Sequence, residues 1–180
     1  MAAPILVHTP TYLSAETDIR TLVAFVESAL ARSQFKIRGI DTDKPWGAEI
    51  KMRSSPDRAA KFLRHYFGDL EVASTLTEPV TPKILLIKNA HRLSWHVHER
   101  KDAHLRVLHG RVGVSMSTTD KEPAPHIYGP GEYVHVPPLT RHRLVSQSGW
   151  AVVAEIGRDA VPGRPSDDND TRRISDDYGR

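Results

Sequence analysis

From about residue 82 onward, short runs of apolar and β-branched residues alternate with turn-forming residues, and this pattern restricts the possible folds more than any other feature of the chain. The runs are, in order, PKILLIKN, RLSWHVH, HLRVLHGRVGVSM, GEYVHVPP, HRLVS and WAVVAEIG. Glycine and proline separate several of them, as they do where strands end in turns. Many short strands at close spacing predict an antiparallel β-sandwich or barrel.

The first half of the chain predicts two helices. Apolar residues recur at helical spacing over residues 14–32, and Ser14 can cap that helix. A second helix is predicted over residues 56–67, because Ser55 can cap it, proline suits its first position and Gly68 can end it.

Composition excludes several classes of function. The chain has 180 residues, which suits one domain, and it has no cysteine, so disulfides and thiolate metal sites are excluded. The net charge of +3 is mild and no dense Lys/Arg block occurs, so we expect no nucleic-acid partner. No apolar run approaches the roughly 20 residues of a membrane span, so no membrane partner is expected. Without an export signal or cysteine, a cytoplasmic location is predicted.

Three of the ten histidines lie within the stretch SWHVHERKDAH. His96 and His98 are two apart in a predicted strand, so both side chains leave the same face of the sheet. That spacing offers two imidazoles to one metal ion, although it is also compatible with an exposed pair on a sheet edge. A second segment favours the metal site, because it runs from Gly131 through Pro137 to His142 and brings another histidine to the start of a strand.

These two segments resemble the two sequence motifs of the cupin superfamily. The first cupin motif begins with His-x-His, and the second runs Gly-x5-Pro-x-Gly-x2-His-x3-Asn. Gly131, Pro137 and His142 match the second motif. Leu139 stands in place of its second glycine, and Ser146 in place of its asparagine. The resemblance implies a small jelly-roll barrel that typically holds one divalent metal ion in its interior.

The implied fold class is mainly β, a double-stranded β-helix of the cupin jelly-roll type, with an N-terminal helix and a second helix inserted before the barrel. We expect residues 1–40 to form a helical extension and residues 41–180 to form the cupin domain, with the helical insertion at about 55–81. Cupins commonly pair through a sheet edge, so we expect a homodimer. The first helix could cover its own barrel or that of the partner.

By the resemblance, the metal ligands are three imidazoles: His96, His98 and His142. Zinc is the first candidate ion, with iron, manganese, nickel and cobalt as alternatives. The glutamate ligand of the family falls on Ala103, and Asp102, one residue earlier, is predicted as the fourth ligand. A regular strand would aim Asp102 away from the ion, which would leave His104 after a shift of register, or water, in that position.

Three further stretches are similar to the cupin domain of type II phosphomannose isomerases, which also forms the C-terminal part of mannose-1-phosphate guanylyltransferases. They are DKPWG at 43–47, RLS at 92–94 and RISDDYGR at 173–180. The family reaction is aldose–ketose isomerisation of a sugar phosphate. A base moves a proton between neighbouring carbons through an enediolate, and a divalent metal balances the negative charge. The implied partner is therefore a small sugar or sugar phosphate.

This resemblance also implies roles for individual residues. For catalysis and phosphate binding we expect Lys44, Glu155, Arg173 and Arg180. For substrate contacts we expect Trp46, Asp176 and Tyr178. The base is left open among Lys44, Glu155 and a further histidine. Alternatively, Tyr178 only closes the barrel while the arginines are solvated, and Trp46 belongs to the core.

Two other functions remain open. An Fe(II) dioxygenase would use two histidines and a carboxylate, supplied by His96 or His98, Asp102 and His142. A non-catalytic sugar-binding cupin is favoured by the loss of the family glutamate at Ala103. The entry sequence DKPWG and the C-terminal arginines favour the isomerase, since a dioxygenase does not need a phosphate site.

Overall fold

The computed structural model describes residues 16–70, 80–159 and 170–179, in which it contains two helices and nine strands. The helices are α1 (Ile19–Arg32) and α2 (Pro56–Phe67). The strands are β1 (Ile37–Lys44), β2 (Gly47–Met52), β3 (Val80–Ile87), β4 (Trp95–His98), β5 (Lys101–Ser117), β6 (His126–Tyr128), β7 (Tyr133–Val136), β8 (Arg141–Asp159) and β9 (Thr171–Ser175).

The two longest strands, β5 and β8, form the spine of the sheet. They pair antiparallel over most of their lengths, and the ladder is irregular between Val107 and Val112, where β5 bends. Gly110 lies at this bend with φ of 76°, and a Cβ there would overlap with the carbonyl oxygen of Trp150. The bend therefore requires glycine, which tolerates positive φ and leaves room for the neighbouring backbone.

The other strands extend this spine on both sides. One antiparallel path runs β1–β2–β3–β8–β4–β9, and β5 adds β6 and β7. The start of β8 pairs with β4, and its second half pairs with β3. The sheet therefore curls into a barrel with an inner and an outer face.

The curled sheet separates two hydrophobic clusters. The inner cluster fills the barrel and consists of Trp46, Leu85, Ile87, Ala103, Leu105, Val107, Val112, Val114, Val134, Val136, Leu144, Ala151 and Val153. The outer cluster lies between the sheet and the helices, and includes Leu22, Val26, Leu30, Ile50, Phe62, Phe67, Ile84, Leu86, Val152 and Ala154. Alternation along β3 and β8 produces this division, because successive side chains leave opposite faces of a strand.

Helix α1 begins later than its sequence pattern predicts. The Asp18 carboxylate caps it by accepting hydrogen bonds from the backbone N–H groups of Arg20 (2.9 Å) and Thr21 (3.2 Å). Ser14, the predicted cap, lies outside the described residues. The apolar face of α1 packs on its own barrel, which decides between the two predicted positions of this helix.

Helix α2 has the bounds that the sequence predicts. The Ser55 hydroxyl caps it by accepting from the Arg58 N–H, Pro56 takes the first position and Gly68 follows its last residue. Its apolar face joins α1 on the outer cluster. In the described parts of the chain, neither helix has both the length and the apolar character needed to cross a membrane.

Candidate functional site

Three histidines meet at the barrel interior. His96 and His98 lie on β4, and His142 near the start of β8 stands opposite His96 across the ladder. The ring centroids are 4.3 Å apart for His96 and His142, and 4.9 Å apart for His96 and His98. One nitrogen from each of the three rings lies within 4.8 Å of the others. The structure thus brings together the three imidazoles of the cupin-like motifs, which we call the histidine cluster.

Each ring of the histidine cluster is oriented through its Nδ1 atom. The partners are Ser94 O at 2.8 Å for His96, Thr140 O at 3.1 Å for His142 and Thr171 Oγ1 at 3.3 Å for His98. A ring whose Nδ1–H donates to oxygen keeps its lone pair on Nε2, ready for a metal.

Burial keeps these imidazoles neutral. It is the main cause that lowers the pKa of His142 to about 4 and the pKa of His98 to about 2. Burial also lowers the pKa of His96 well below its usual value. Because metals bind the neutral imidazole, three neutral and oriented rings fit a divalent transition-metal ion.

Asp102 lies on the other face of the sheet from the histidine cluster. Ala103 takes the inward position on β5 and belongs to the inner cluster. Asp102 and His104, its neighbours on either side, face outward, where Asp102 contacts His135 through a hydrogen bond and Arg158 through an ion pair. The prediction of Asp102 as a fourth ligand beside the three histidines is therefore corrected, because successive residues of a strand alternate between its faces.

Charged side chains lie inside the barrel beside the histidine cluster. Glu155 on β8 forms an ion pair with Lys101 on β5, and Lys83 Nζ on β3 lies 3.6 Å from the same carboxylate oxygen. Lys83 Nζ also lies 3.5 Å from Glu49 Oε2 on β2. The charges of Glu155 and Lys101 act on the rings of the cluster and influence the pKa of His98.

Of these interior charges, the sequence reasoning identified only Glu155 as a site residue. Lys83, Lys101 and Glu49 were missed, although the sequence carries a signal for them. Lys83 and Lys101 each stand two residues from an inward-facing neighbour, Leu85 and Ala103. Glu49 alternates with Ala48 and Ile50 of the outer cluster, so it also faces inward.

The interior charges stabilise one another against burial. Burial disfavours the ionised form of Glu155, but the attraction of the Lys101 and Lys83 charges is larger than this effect. The two lysines therefore hold the pKa of the carboxyl well below its usual value. Burial also disfavours the charge on Lys83, yet Glu155 and Glu49 raise its pKa to about 12. At Lys101 burial prevails and lowers the pKa. An ionised carboxylate therefore lies beside an ammonium group that releases its proton more readily than an exposed lysine does.

A cavity of about 440 Å³ opens between β9 and the end of β1. It is lined by Ile40, Asp41, Thr42, Asp43, Lys44, Pro45 and Arg173. Arg173 stands opposite His96 across the β4–β9 ladder. Lys44 forms an ion pair with Asp41 at 2.8 Å. The structure therefore brings two of the predicted phosphate-binding cations, Lys44 and Arg173, to one cavity.

The C-terminal residues are fastened to the barrel. The Tyr178 hydroxyl accepts a hydrogen bond from the Arg92 N–H (3.3 Å), and the Tyr178 ring packs against the inner cluster. Asp177 forms an ion pair with the Arg92 guanidinium. The Asp176 carboxylate accepts a hydrogen bond from the Tyr178 N–H (3.3 Å). Tyr178 thus contacts the barrel, and Asp176 contacts the backbone of the tail. Arg180 lies outside the described residues.

Trp46 lies in the turn between β1 and β2. It is 4% exposed and belongs to the inner cluster. This placement favours the core role of Trp46 over contact with a sugar.

No protein family and no curated protein matches the sequence of this chain. Among solved structures, the capsular polysaccharide assembling protein CapF from Staphylococcus aureus aligns with 77% of this chain at a TM-score of 0.53 and 12% sequence identity. The alignment spans only 34% of the CapF chain, about a third of its length. The chain has a cupin-type jelly-roll fold. At that identity the likeness shows the fold alone, and it confirms the predicted fold class.

Two further solved structures are similar to this chain at lower scores. KdgF from Halomonas sp. is 15% identical, over 68% of this chain and 88% of that chain, with a TM-score of 0.48. A sugar phosphate isomerase from a cupin superfamily, from Silicibacter pomeroyi, is 16% identical, over 61% of this chain and 59% of that chain, with a TM-score of 0.41. Neither bears on the function of this chain.

Proposed function

We propose that this chain is a metal-dependent enzyme that interconverts an aldose phosphate and a ketose phosphate, in the manner of a mannose-6-phosphate isomerase. The observation that carries the proposal is that the interior of the barrel contains both the histidine cluster and the Glu155 carboxylate, which is paired with Lys101. Isomerisation through an enediolate requires a base beside a polarised carbonyl, and this arrangement provides the groups for both.

The histidine cluster would hold the metal ion. Zinc is the first candidate for its three imidazoles, with iron, manganese, nickel and cobalt as alternatives. Three protein ligands leave at least one coordination position for water or substrate. The bound ion would supply positive charge for the oxygens of the enediolate.

Glu155 would carry the proton between the two carbons, and Lys101 would support it. Glu155 would accept the proton from C2 of the aldose phosphate; because its lysine neighbours lower its pKa and weaken it as a base, this step would rely on the metal to polarise the carbonyl and acidify the C2–H bond. The resulting carboxyl group returns that proton to C1, while the hydroxyl proton passes from O2 to O1, so that the ketose forms without any net loss of atoms. The ammonium group of Lys101, paired with Glu155, holds the carboxylate in position and adds positive charge near the enediolate.

The cavity lined by Lys44 and Arg173 would hold the phosphate. The planar guanidinium of arginine suits a phosphate, and a lysine ammonium adds charge. Arg173 stands opposite His96 across the β4–β9 ladder, so in this proposal the sugar would extend from a phosphate at Arg173 towards the histidine cluster and Glu155. Arg180 stays a predicted further cation. Tyr178 and Asp176 are proposed to position the tail that carries both arginines.

A non-catalytic sugar-binding protein is the second candidate. It is favoured by Ala103, whose inward position is the one that carries a glutamate ligand in the isomerases that the sequence resembles. The dioxygenase alternative loses support in its predicted form, because Asp102 faces away from His96, His98 and His142 and cannot share an ion with them.

The test is turnover of mannose 6-phosphate by purified protein that has been stripped of metal and reloaded with Zn(II), Co(II), Ni(II), Mn(II) or Fe(II) in turn. NMR spectroscopy of the sugar detects fructose 6-phosphate. We expect conversion with at least one metal, and a rate lower by about 100- to 10,000-fold in Glu155→Gln. Glu27→Gln on α1 is the matched control and should keep the activity. Sugar-phosphate binding in calorimetry without conversion under any metal would support the non-catalytic candidate instead.

A further inference from the structure

A second group of potential metal ligands lies on the outer face of the barrel. Asp102 and His104 leave the outer face of β5, and His135 on β7 stands opposite His104 across the ladder. One ligand atom from each of the three residues lies within 4.8 Å of the others. The rings of His104 and His135 are stacked, with centroids 4.7 Å apart and planes 4° from parallel. Two imidazoles and a carboxylate are a donor set that suits zinc and other divalent transition metals.

His104 contains a buried nitrogen atom that lacks a hydrogen bond. The residue is 2% exposed, and its Nε2 atom has no hydrogen-bond partner within the described part of the chain. Asp102 Oδ2 is 3.6 Å away, which is too far for a hydrogen bond. Buried polar atoms without a partner are rare, and a bound ion is one of the groups that satisfies them.

The surroundings orient these ligands. The Tyr133 hydroxyl lies 2.6 Å from His104 Nδ1, which holds the ring so that Nε2 faces Asp102. Arg158 forms an ion pair with Asp102, and metal-binding carboxylates commonly have such a supporting partner. Asp102 Oδ1 and His135 Nε2 are 2.5 Å apart, so two of the ligand atoms already face each other.

We infer that Asp102, His104 and His135 form a second binding site for a divalent transition-metal ion, separate from the histidine cluster inside the barrel. The side chain of His135 is 44% exposed, so an ion can enter from solvent and water can fill a fourth position. A bound ion would link β5 to β7 from outside. This inference does not depend on the proposed isomerase activity.

The test counts Zn(II) ions per chain. Protein stripped with chelator is titrated with Zn(II) by calorimetry, and the zinc retained after desalting is measured by elemental analysis. We expect two ions per wild-type chain, one in His135→Ala and one in His98→Ala, and none in the double variant. His126→Ala, which replaces an exposed histidine outside both groups, is the control and should keep two. His135 is chosen because it is exposed, so its removal leaves the fold intact.

A further variant tests the orientation of His104. Tyr133→Phe removes the hydroxyl at Nδ1 and should weaken zinc at this site by about 10- to 100-fold without changing the number of sites. The inference is overturned if His135→Ala binds as many Zn(II) ions as the wild type. Loss of an ion in His135→Ala but none in His98→Ala supports this site and counts against the histidine cluster as a metal centre.

Discussion

The side chain of Lys101 occupies the space where a side chain at position 157 would stand. A Cβ built on Gly157 would overlap with Lys101 Cε, because Gly157 lies opposite Ala103 and faces the barrel interior. Because glycine has no side chain, it leaves room for the Lys101 side chain to reach Glu155. A backbone position thus controls the placement of an interior charge.

We expect Gly157→Ala to lower the free energy of unfolding by about 1–3 kcal/mol through overpacking against Lys101. In a Lys101→Ala background the Lys101 side chain no longer fills this space, so Gly157→Ala should lower the free energy of unfolding by a smaller amount. Urea unfolding of the two single variants and the double variant measures the coupling, which we expect to be about 0.5–3 kcal/mol. Equal costs in both backgrounds would show that Gly157 does not act through Lys101.

Glu155 is expected to stabilise the fold through its interior ion pairs. Glu155→Gln leaves Lys101 and Lys83 without their shared counter-charge inside the barrel, so we expect a loss of about 3–5 kcal/mol at pH 7. Urea unfolding measures the loss. Glu27→Gln on α1 should change the free energy of unfolding by less than about 0.5 kcal/mol.

The contribution of Glu155 should also depend on pH with a definite sign. Its pKa in the folded protein lies below the ordinary value of 4.5, so folding favours the ionised form. The stabilisation is therefore complete above the ordinary pKa and is lost as the pH falls below it towards the folded value. We expect the stability difference between wild type and Glu155→Gln to shrink below pH 4.5. A difference that widened on acidification would contradict this assignment.

Arg173→Ala should weaken the binding of phosphorylated sugars. If this guanidinium contacts the phosphate, KM for the sugar phosphate should rise by about 10- to 100-fold with little change in kcat. Arg172→Ala is the matched control, because the neighbouring side chain leaves the other face of β9 and interacts with Asp120 at 3.7 Å. Steady-state kinetics with phosphorylated and free sugar measure the effect. An equal loss for both sugars would rule out a phosphate contact.

Leu139 should be replaceable by glycine with a gain in stability. Its φ is 64°, at the motif position where cupins have glycine, and its backbone N–H donates to the His98 carbonyl at 2.7 Å. A left-handed conformation costs an ordinary residue about 1–2 kcal/mol, and glycine offsets part of that gain by its greater freedom when unfolded. We expect Leu139→Gly to raise the free energy of unfolding by up to about 1 kcal/mol in thermal denaturation. Leu139→Ala retains the strain, so it should be less stable than the glycine variant.

The sequence predicted the bounds of a helix correctly where only one residue was available to cap each end. Helix α2 has its predicted bounds because Ser55, Pro56 and Gly68 act on adjacent backbone groups. The start of α1 was predicted wrongly because two residues can cap that run, and Asp18 does so in the structure. The predicted homodimer and cytoplasmic location stay predictions.

The sequence by itself determined the runs that form β3, β4, β5, β7 and β8, the helix α2 and the two-residue spacing of His96 and His98, because each depends on residues close together in the chain. It did not indicate β1, β2 or β6, and it divided β8 into two runs. Only the tertiary structure decided which side chains face each other inside the barrel. Lys83, Lys101 and Glu155 lie on three strands that meet when the sheet closes, so their mutual neutralisation is invisible in any local pattern. The direction of Asp102 followed the alternation of a regular strand, and the structure decided it by keeping β5 in unbroken register over Lys101–Val107, since a shift of one residue would have turned the side chain inward.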